Sequence, residues 1–304
     1  MTALNFGNLV FGGNVFGWTA DRDTSFALLD AFVAAGGVSI DTADVYSAWA
    51  PGNSGGESEA IIGEWMASRG NRAQVQVATK VFQHPDRPGL SAKNIRAAID
   101  DSLTRLRTDY VDLYYAHRDD PEVDQAEYVS AFDELVQAGK VRELGVTTFT
   151  ADRLRSAQAI ALAEGLTPFT VSQDHYNLVE RDYETELRDT VAELGLVEVP
   201  YWSLAAGFLT GKYRPGVAVD SVRAEGAGAY LQNPANVRLL DVLDDVARAH
   251  QTSVTAVSLA WLRAQPTVAA PIASARTLEQ LPDLVASFTL ELSADELGLI
   301  SATR

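Results

Sequence analysis

The 304-residue chain contains no cysteine. Disulfides, thiolate zinc sites and cysteine nucleophiles are thereby excluded, and a reducing cytoplasm suits such a chain. Lysine is nearly absent as well, present only at positions 80, 93, 140 and 212. Positive charge is scarce throughout, with 24 lysines and arginines against 41 acids and a formal net charge of −17. A surface of that sign repels nucleic acid and anionic membrane. Any phosphate-bearing ligand must therefore be held by a local gathering of the few cations. No apolar run reaches the roughly 18 residues of a membrane span. The opening "MTALNFGNLVFGG" lacks the basic and apolar regions of a signal peptide. The four histidines lack metal-ligand spacing, so no metal is expected. These absences predict a cytoplasmic protein that meets neither nucleic acid nor membrane. Oligomeric state stays open, leaning to a monomer.

Apolar residues, at 47% of the chain, are enough for a substantial core. Short β-branched runs alternate with longer amphipathic stretches. Strands are expected at 8–12, 38–41, 75–80, 110–117, 142–148, 169–173, 196–202 and 267–272. Helices are expected at 23–35, 57–69, 91–106, 124–138, 151–164 and 183–194, then near 235–249, 253–264, 277–286 and 294–301. Ser91 and Thr150 stand where helix caps belong. Eight alternating β–α units predict an α/β fold, a closed (β/α)8 TIM barrel forming one domain over 1–304. A long loop joins strands seven and eight, and its front half, "GKYRPGVAVDSVRAEGAGAYLQNPAN", reads as irregular. An open dinucleotide-binding sheet would want G-x-G-x-x-G after the first strand, and "GGNVFG" is a poor match.

A parallel barrel gathers the C-terminal ends of all its strands on one face, where active sites sit. Asp41, Lys80 and His117 close three consecutive strands, and Tyr46 follows Asp41 by five residues. Each alone has an ordinary explanation, as cap, solvent-reaching cation or surface histidine. Together, on adjacent strands, they point to a site. A lysine at the mouth of an apolar barrel needs a counter-ion, which Asp41 can supply. Its ammonium, beside Tyr46, is expected to lower the phenol pKa. Such a tyrosine can give a proton to a carbonyl oxygen as hydride reaches carbon, while His117 donates a hydrogen bond to the same oxygen. No second strand-end carboxylate supports glycoside hydrolysis, and no G-x-S-x-G elbow is present. A lyase or isomerase using Lys80 as a Schiff base is a competing reading.

"IDTADVY", "VATK" and "LYYAH", in this order and spacing, resemble the tetrad segments of the aldo-keto reductase superfamily. "GKVRELGVTTF", "SQDHYNLVER", "YWSLAAGFLTGKY" and "PIASARTLEQL" extend the resemblance over nearly the whole chain. It is nearest the bacterial branch related to potassium-channel β-subunits and to general stress or sugar-aldehyde reductases. The resemblance implies an NADPH-dependent reductase of a small-molecule carbonyl substrate, with Asp41, Tyr46, Lys80 and His117 catalytic and Tyr46 the acid. By position it implies that Thr147, Thr148 and Gln173 hold the carboxamide and that Tyr201 stacks on nicotinamide. Trp202, Ser203, Leu204, Gly207 and Lys212 would line the pyrophosphate crossing. Ser274, Arg276 and Gln280 would hold the 2′-phosphate end. Thr147-Thr148 stands where the family commonly has Ser-Asn, and Trp202-Ser203 where it commonly has Ser-Pro. Trp18, Trp49, Phe82 and Arg118 are expected to shape the substrate pocket. Some members of the branch act chiefly as nucleotide-binding redox sensors or regulatory subunits, which is the alternative function.

Overall fold

A computed structural model describes residues 4–303, so the first three residues of the opening stretch and the last residue of the expected domain lie outside the described residues. The strands are β1 (Val10–Gly12), β2 (Ser39–Asp41), β3 (Gln76–Val81), β4 (Val111–Ala116), β5 (Val141–Thr147), β6 (Val171–Gln173), β7 (Val197–Glu198) and β8 (Ile272–Ala273). They lie in the order β7-β6-β5-β4-β3-β2-β1-β8, every adjacent pair parallel. The ring closes between β7 and the chain entering β8. There the Glu198 amide donates to Thr267 O (2.8 Å), Ala269 to Glu198 O (2.8 Å) and Ile272 to Pro200 O (2.9 Å).

The outer layer comprises α1 (Arg22–Ala34), α2 (Glu57–Arg69), α3 (Ala92–Leu106), α4 (Gln125–Gln137), α5 (Ala151–Glu164) and α6 (Glu186–Glu193). It continues with α7 (Ala224–Ala229), α8 (Pro234–Ala249), α9 (Val254–Arg263), α10 (Leu281–Ala286) and α11 (Ala294–Ala302). Caps fix several starts. The Ser91 and Thr150 hydroxyls each accept the amide three residues on, and α11 opens with a reciprocal Ser293–Glu296 capping box. Gly165 ends α5 in the left-handed conformation, φ +67°.

Two differences from the sequence reading have physical causes. Strands seven and eight are much shorter than 196–202 and 267–272, because Pro200 and Pro271 donate no amide to a ladder and Thr267 is left-handed, φ +69°. The stretch expected to be irregular contains the short helix α7 and a 3-10 turn at Tyr230–Gln232.

Strand register sorts the side chains. Asp41 pairs with Ala78, Lys80 with Tyr115, Tyr115 with Gly145, Gly145 with Val171 and Thr147 with Gln173. Paired residues and those two apart share a face, so Asp41, Lys80, Tyr115, Thr147 and Gln173 all project to the same side. It is the inside, where Val10, Leu113, Tyr115, Val171, Val199 and Ile272 form a small apolar core of their own. Gly145 is required here, since a β-carbon would collide with the Tyr115 ring. The alternate residues face the helices. Among them Ser172 and Glu198 are paired and buried.

Glu198 accepts the Asp174 amide (2.8 Å) through Oε1, its Oε2 has no partner among the described residues, and Ser172 donates to Asp174 Oδ2 (2.5 Å). Burial pushes the Asp174 carboxyl up to about 6. Burial and then the Asp174 charge push Glu198 well above the ordinary range. Folded values above unfolded ones mean that this pair favours folding at acid pH and loses that contribution as pH rises through the folded values. Glu198→Gln should therefore raise the melting temperature at pH 8 by about 2–4 °C or more, with the gain fading toward pH 5. Calorimetry at the two pH values checks this; a gain equal at both would remove the carboxylate pair as its cause.

Candidate active site

The inner-face residues converge where β2, β3, β4 and β6 end. Lys80 is completely buried and Asp41 nearly so. The ammonium lies 2.7 and 2.6 Å from the two Asp41 oxygens, 2.8 Å from Thr42 O and 3.0 Å from the Tyr46 hydroxyl. Tyr46 in turn donates to Asp41 Oδ2 (3.1 Å), and Gln173 Nε2 donates to Asp41 Oδ1 (3.0 Å). Taking both charges out of water costs several kcal/mol per ion, which a well-bonded pair offsets. Each donor of Lys80 has an acceptor, and three side chains donate to Asp41. The result is a closed network with Tyr46 on its solvent side, the only member with part of its surface open.

The phenol differs from the sequence expectation. Burial, then the charge of Asp41 and its hydrogen bond, raise the Tyr46 pKa well above its ordinary value. Lys80 does not win because its charge is already matched by a carboxylate equally close to the phenol. Burial also pushes the Lys80 ammonium down, against the pull of Asp41. Tyr46 is consequently a protonated donor at neutral pH. His117 sits edge-on to it, ring centroids 5.9 Å apart. Burial, Lys80 and Arg118 hold the imidazole well below its ordinary pKa, so it is neutral, and its Nδ1 has no partner among the described residues. A neutral imidazole and a phenol side by side can both direct a proton to one ligand oxygen.

Around this centre the rim is strained. Phe82, Thr148 and Trp202, with φ +147°, +59° and +55°, follow the ends of β3, β5 and the β7 segment, and Ala205, Ala206 and Gly207 are left-handed in succession. Such conformations cost about 1–3 kcal/mol each and gather at functional sites. Thr147 and Thr148 share a hydroxyl contact of 2.9 Å. Tyr201 stacks on His175 (5.5 Å, 17°), and the half-exposed Trp202 meets the same ring edge-on (5.3 Å). Leu204 precedes the left-handed run. Three residues named from the sequence have polar atoms engaged within the protein. Ser203 donates to Pro200 O (3.0 Å), and Gln280 Oε1 accepts the Arg276 amide (2.9 Å). The Ser274 hydroxyl lies 2.7 Å from Gly12 O and 2.8 Å from Asn14 Oδ1. Ser274 thus ties β8 to the end of β1.

An aromatic wall runs outward from Tyr46. Trp49 lies at 6.1 Å from it, Trp18 at 5.7 Å from Trp49, and the Arg223 guanidinium at 5.8 Å from Trp18. Burial, then the Arg276 charge, push Arg223 below its ordinary pKa. The Arg276 charge thus acts on Arg223 in a protein of net charge −17. Arg214, also on the long loop before β8, is held by Asp244 (2.6 Å). Arg118, Lys212, Arg223 and Arg276 form no ion pair among the described residues. Among the described residues no cluster of metal-ligating side chains occurs, and no helix is long and apolar enough to cross a membrane. Sequence reasoning gave no role to His175 or Asn14; their only signal was proximity to strand ends, which many idle residues share.

Comparison with known proteins gives the kinship of a barrel with this polar rim. A profile of the Aldo/keto reductase family matches residues 8–304. The norsolorinic acid reductase stcV of Emericella nidulans is 32% identical over 100% of this chain and 78% of its own length. The uncharacterized oxidoreductase YrpG of Bacillus subtilis is 33% identical over 99% of this chain and 93% of its own. The aryl-alcohol dehydrogenase [NADP(+)] of Phanerodontia chrysosporium is 31% identical over 94% and 77% respectively. The chain belongs to the aldo/keto reductase family.

Removing one member of the buried pair isolates its energetic role. Lys80→Met should destabilise the protein by about 3–5 kcal/mol, because Asp41 is left as an uncompensated buried charge. Asp41→Asn combined with Lys80→Met should recover a large part of that loss. Urea unfolding of the wild type, both single variants and the double variant measures it; strict additivity would mean that the two groups do not stabilise one another.

Proposed function

We propose that the protein reduces an aldehyde or ketone to an alcohol with NADPH, the proton coming from Tyr46. The observation that carries this reading is the position of the Tyr46 hydroxyl, held between Lys80 (3.0 Å) and Asp41 (3.1 Å) and flanked by a neutral His117. A bound nicotinamide supplies hydride, and the remaining work belongs to the chain. Tyr46 and His117 orient the substrate oxygen, and Tyr46 hands it a proton as negative charge develops there. Lys80 and Asp41 fix the phenol, which regains its proton from solvent on its open side. The Lys80 amine is committed to four contacts deep in the barrel, which disfavours its use as a Schiff-base nucleophile. An intact donor network likewise favours turnover over nucleotide sensing.

The residues fit a phosphorylated dinucleotide. Arg223 and Arg276, whose charges act on one another and which form no ion pair among the described residues, suit an anion, and the left-handed run at 205–207 offers a sharply turned backbone beside Lys212. Arg276 would take the 2′-phosphate bidentately. Gln280 would brace the Arg276 backbone, and Ser274 would brace the β8 end. Thr147, Thr148 and Gln173 would take the carboxamide, with Tyr201 against the ring. Trp18, Trp49, Phe82 and Arg118 would border a small-molecule carbonyl substrate. The named activities of the aryl-alcohol dehydrogenases and norsolorinic acid reductases make aryl aldehydes and ketones the first substrates to try.

Tyr46→Phe should lower kcat for carbonyl reduction by about 10²–10⁴-fold, with the NADPH Kd unchanged; stopped-flow hydride transfer and fluorescence titration check the two halves. Retention of turnover would place the acid elsewhere. Arg276→Ala should weaken NADPH binding by about tenfold to a few hundredfold, as loss of one or two charge-assisted bonds predicts, and leave NADH nearly unaffected. Equal losses for both nucleotides in parallel titrations would reduce Arg276 to a loop-shaping residue.

A further inference from the structure

Asp44 stands between Asp41 and Tyr46 in sequence, yet takes no part in the network just described. Its residue surface is fully buried, and neither carboxylate oxygen has a hydrogen-bond partner among the described residues. Its amide donates to Lys80 O (3.2 Å), which ties it to the back of the catalytic lysine. The group faces charges from every element packed around it. Glu59 on α2 is the nearest in effect and is itself clamped by Thr79 Oγ1 (2.5 Å) and Arg105 Nε (2.6 Å). Arg105 on α3 and Arg87 after β3 act with the opposite sign, Arg87 being already paired with Asp101. Tyr114 on β4 turns a buried, unpartnered hydroxyl toward the same cluster, and Lys80 on β3 feels the Asp44 charge.

The chain closes tightly over this group. A β-carbon on Gly55, φ +109°, would lie 3.0 Å from Asp44 O and 3.0 Å from His84 Nε2, and one on Gly56 would collide with Arg105. The two glycines thus let loop and arginine seal the carboxyl from solvent. Burial first, then the like charge of Glu59, push Asp44 up to about 7, against the smaller pull of Arg87, Arg105 and the Val45 amide.

We propose that Asp44 is a positioning residue for carbonyl reduction, a sealed carboxyl whose gain or loss of a proton changes the charge behind Lys80 and thereby the readiness of Tyr46 to part with its own. This rests on the catalytic reading above. Ionised Asp44 adds negative charge near Lys80, offsets the ammonium that faces the phenol, and so disfavours alcohol oxidation, which needs phenolate as base. Protonated Asp44 relaxes that bias. Folding stability runs the same way: a carboxyl raised in the folded state favours folding at low pH, and the contribution is lost as pH rises through about 7.

The test compares wild type, Asp44→Asn and Glu59→Gln. The Asp44→Asn to wild-type ratio of kcat for alcohol oxidation should rise about three- to tenfold between pH 6 and pH 8, equivalent to half to one unit of Tyr46 pKa. Nucleotide Kd should not move. A ratio independent of pH overturns the proposal. A readout free of catalysis uses protein labelled with 13C at tyrosine Cζ, the Tyr46 signal assigned by Tyr46→Phe. That resonance should shift between pH 6 and 8 in the wild type and stay flat in Asp44→Asn; a shift that persists in the variant also overturns it. Were the protein to reduce no carbonyl at all, the catalytic reading would fail while the resonance still decided whether Asp44 acts on Tyr46. Should Asp44→Asn not fold, Glu59→Gln removes the like charge and should move the inflection toward acid; an unmoved inflection counts against Asp44.

Discussion

A lysine ammonium without exposed surface can exist in an apolar barrel only if the barrel is built around it. Lys80 therefore dictates much of what surrounds it. Asp41 must lie on the neighbouring strand at the matching level, and the β2–α2 loop must turn back so that Thr42 O and Tyr46 reach the same nitrogen. Gln173, from the far side of the ring, adds a second donor to the Asp41 oxygen that already accepts from Lys80. The catalytic geometry and the stability of the barrel mouth are in this sense one arrangement. A loosened contact would affect both.

Charge sets a second constraint. The chain is so acidic that an arginine without a carboxylate needs a reason. The charges of Arg223 and Arg276 repel one another, and Arg118 helps to keep the imidazole next to it in sequence neutral. The barrel thereby holds two electrostatic zones. One is the neutralised interior around Lys80, and the other is an uncompensated positive edge reached along Trp49 and Trp18.

Much of this was legible in the sequence because the residues concerned are costly anywhere else. Aspartate, lysine and histidine at the ends of three successive apolar strands have few uses, and register then forces them to share the inner face. Less legible was the sign of the Tyr46 shift. It depends on a carboxylate and an ammonium at nearly equal distance from one hydroxyl, and composition cannot rank two such distances. The local bonds of Ser203 and Ser274 were not legible either: both hydroxyls reach main-chain oxygens of their own barrel. Pro200 and Pro271 were visible, but the apolar runs through them suggested longer strands than the amide supply permits. The state of Asp44 is not legible at all, because its isolation from donors arises beside helices α2 and α3, farther along the chain.

The seam joining β1 to β8 spans almost the entire sequence, with Ser274 bonded to Gly12 across 262 positions. During synthesis at about 5–20 residues per second, the free edge of β1 waits for tens of seconds before its final partner emerges. Asp41, Tyr46 and Lys80 leave the ribosome early in that interval, and Gln173 midway. A nascent chain therefore holds the residues of its lysine–carboxylate centre without the closing strand until β8 is made.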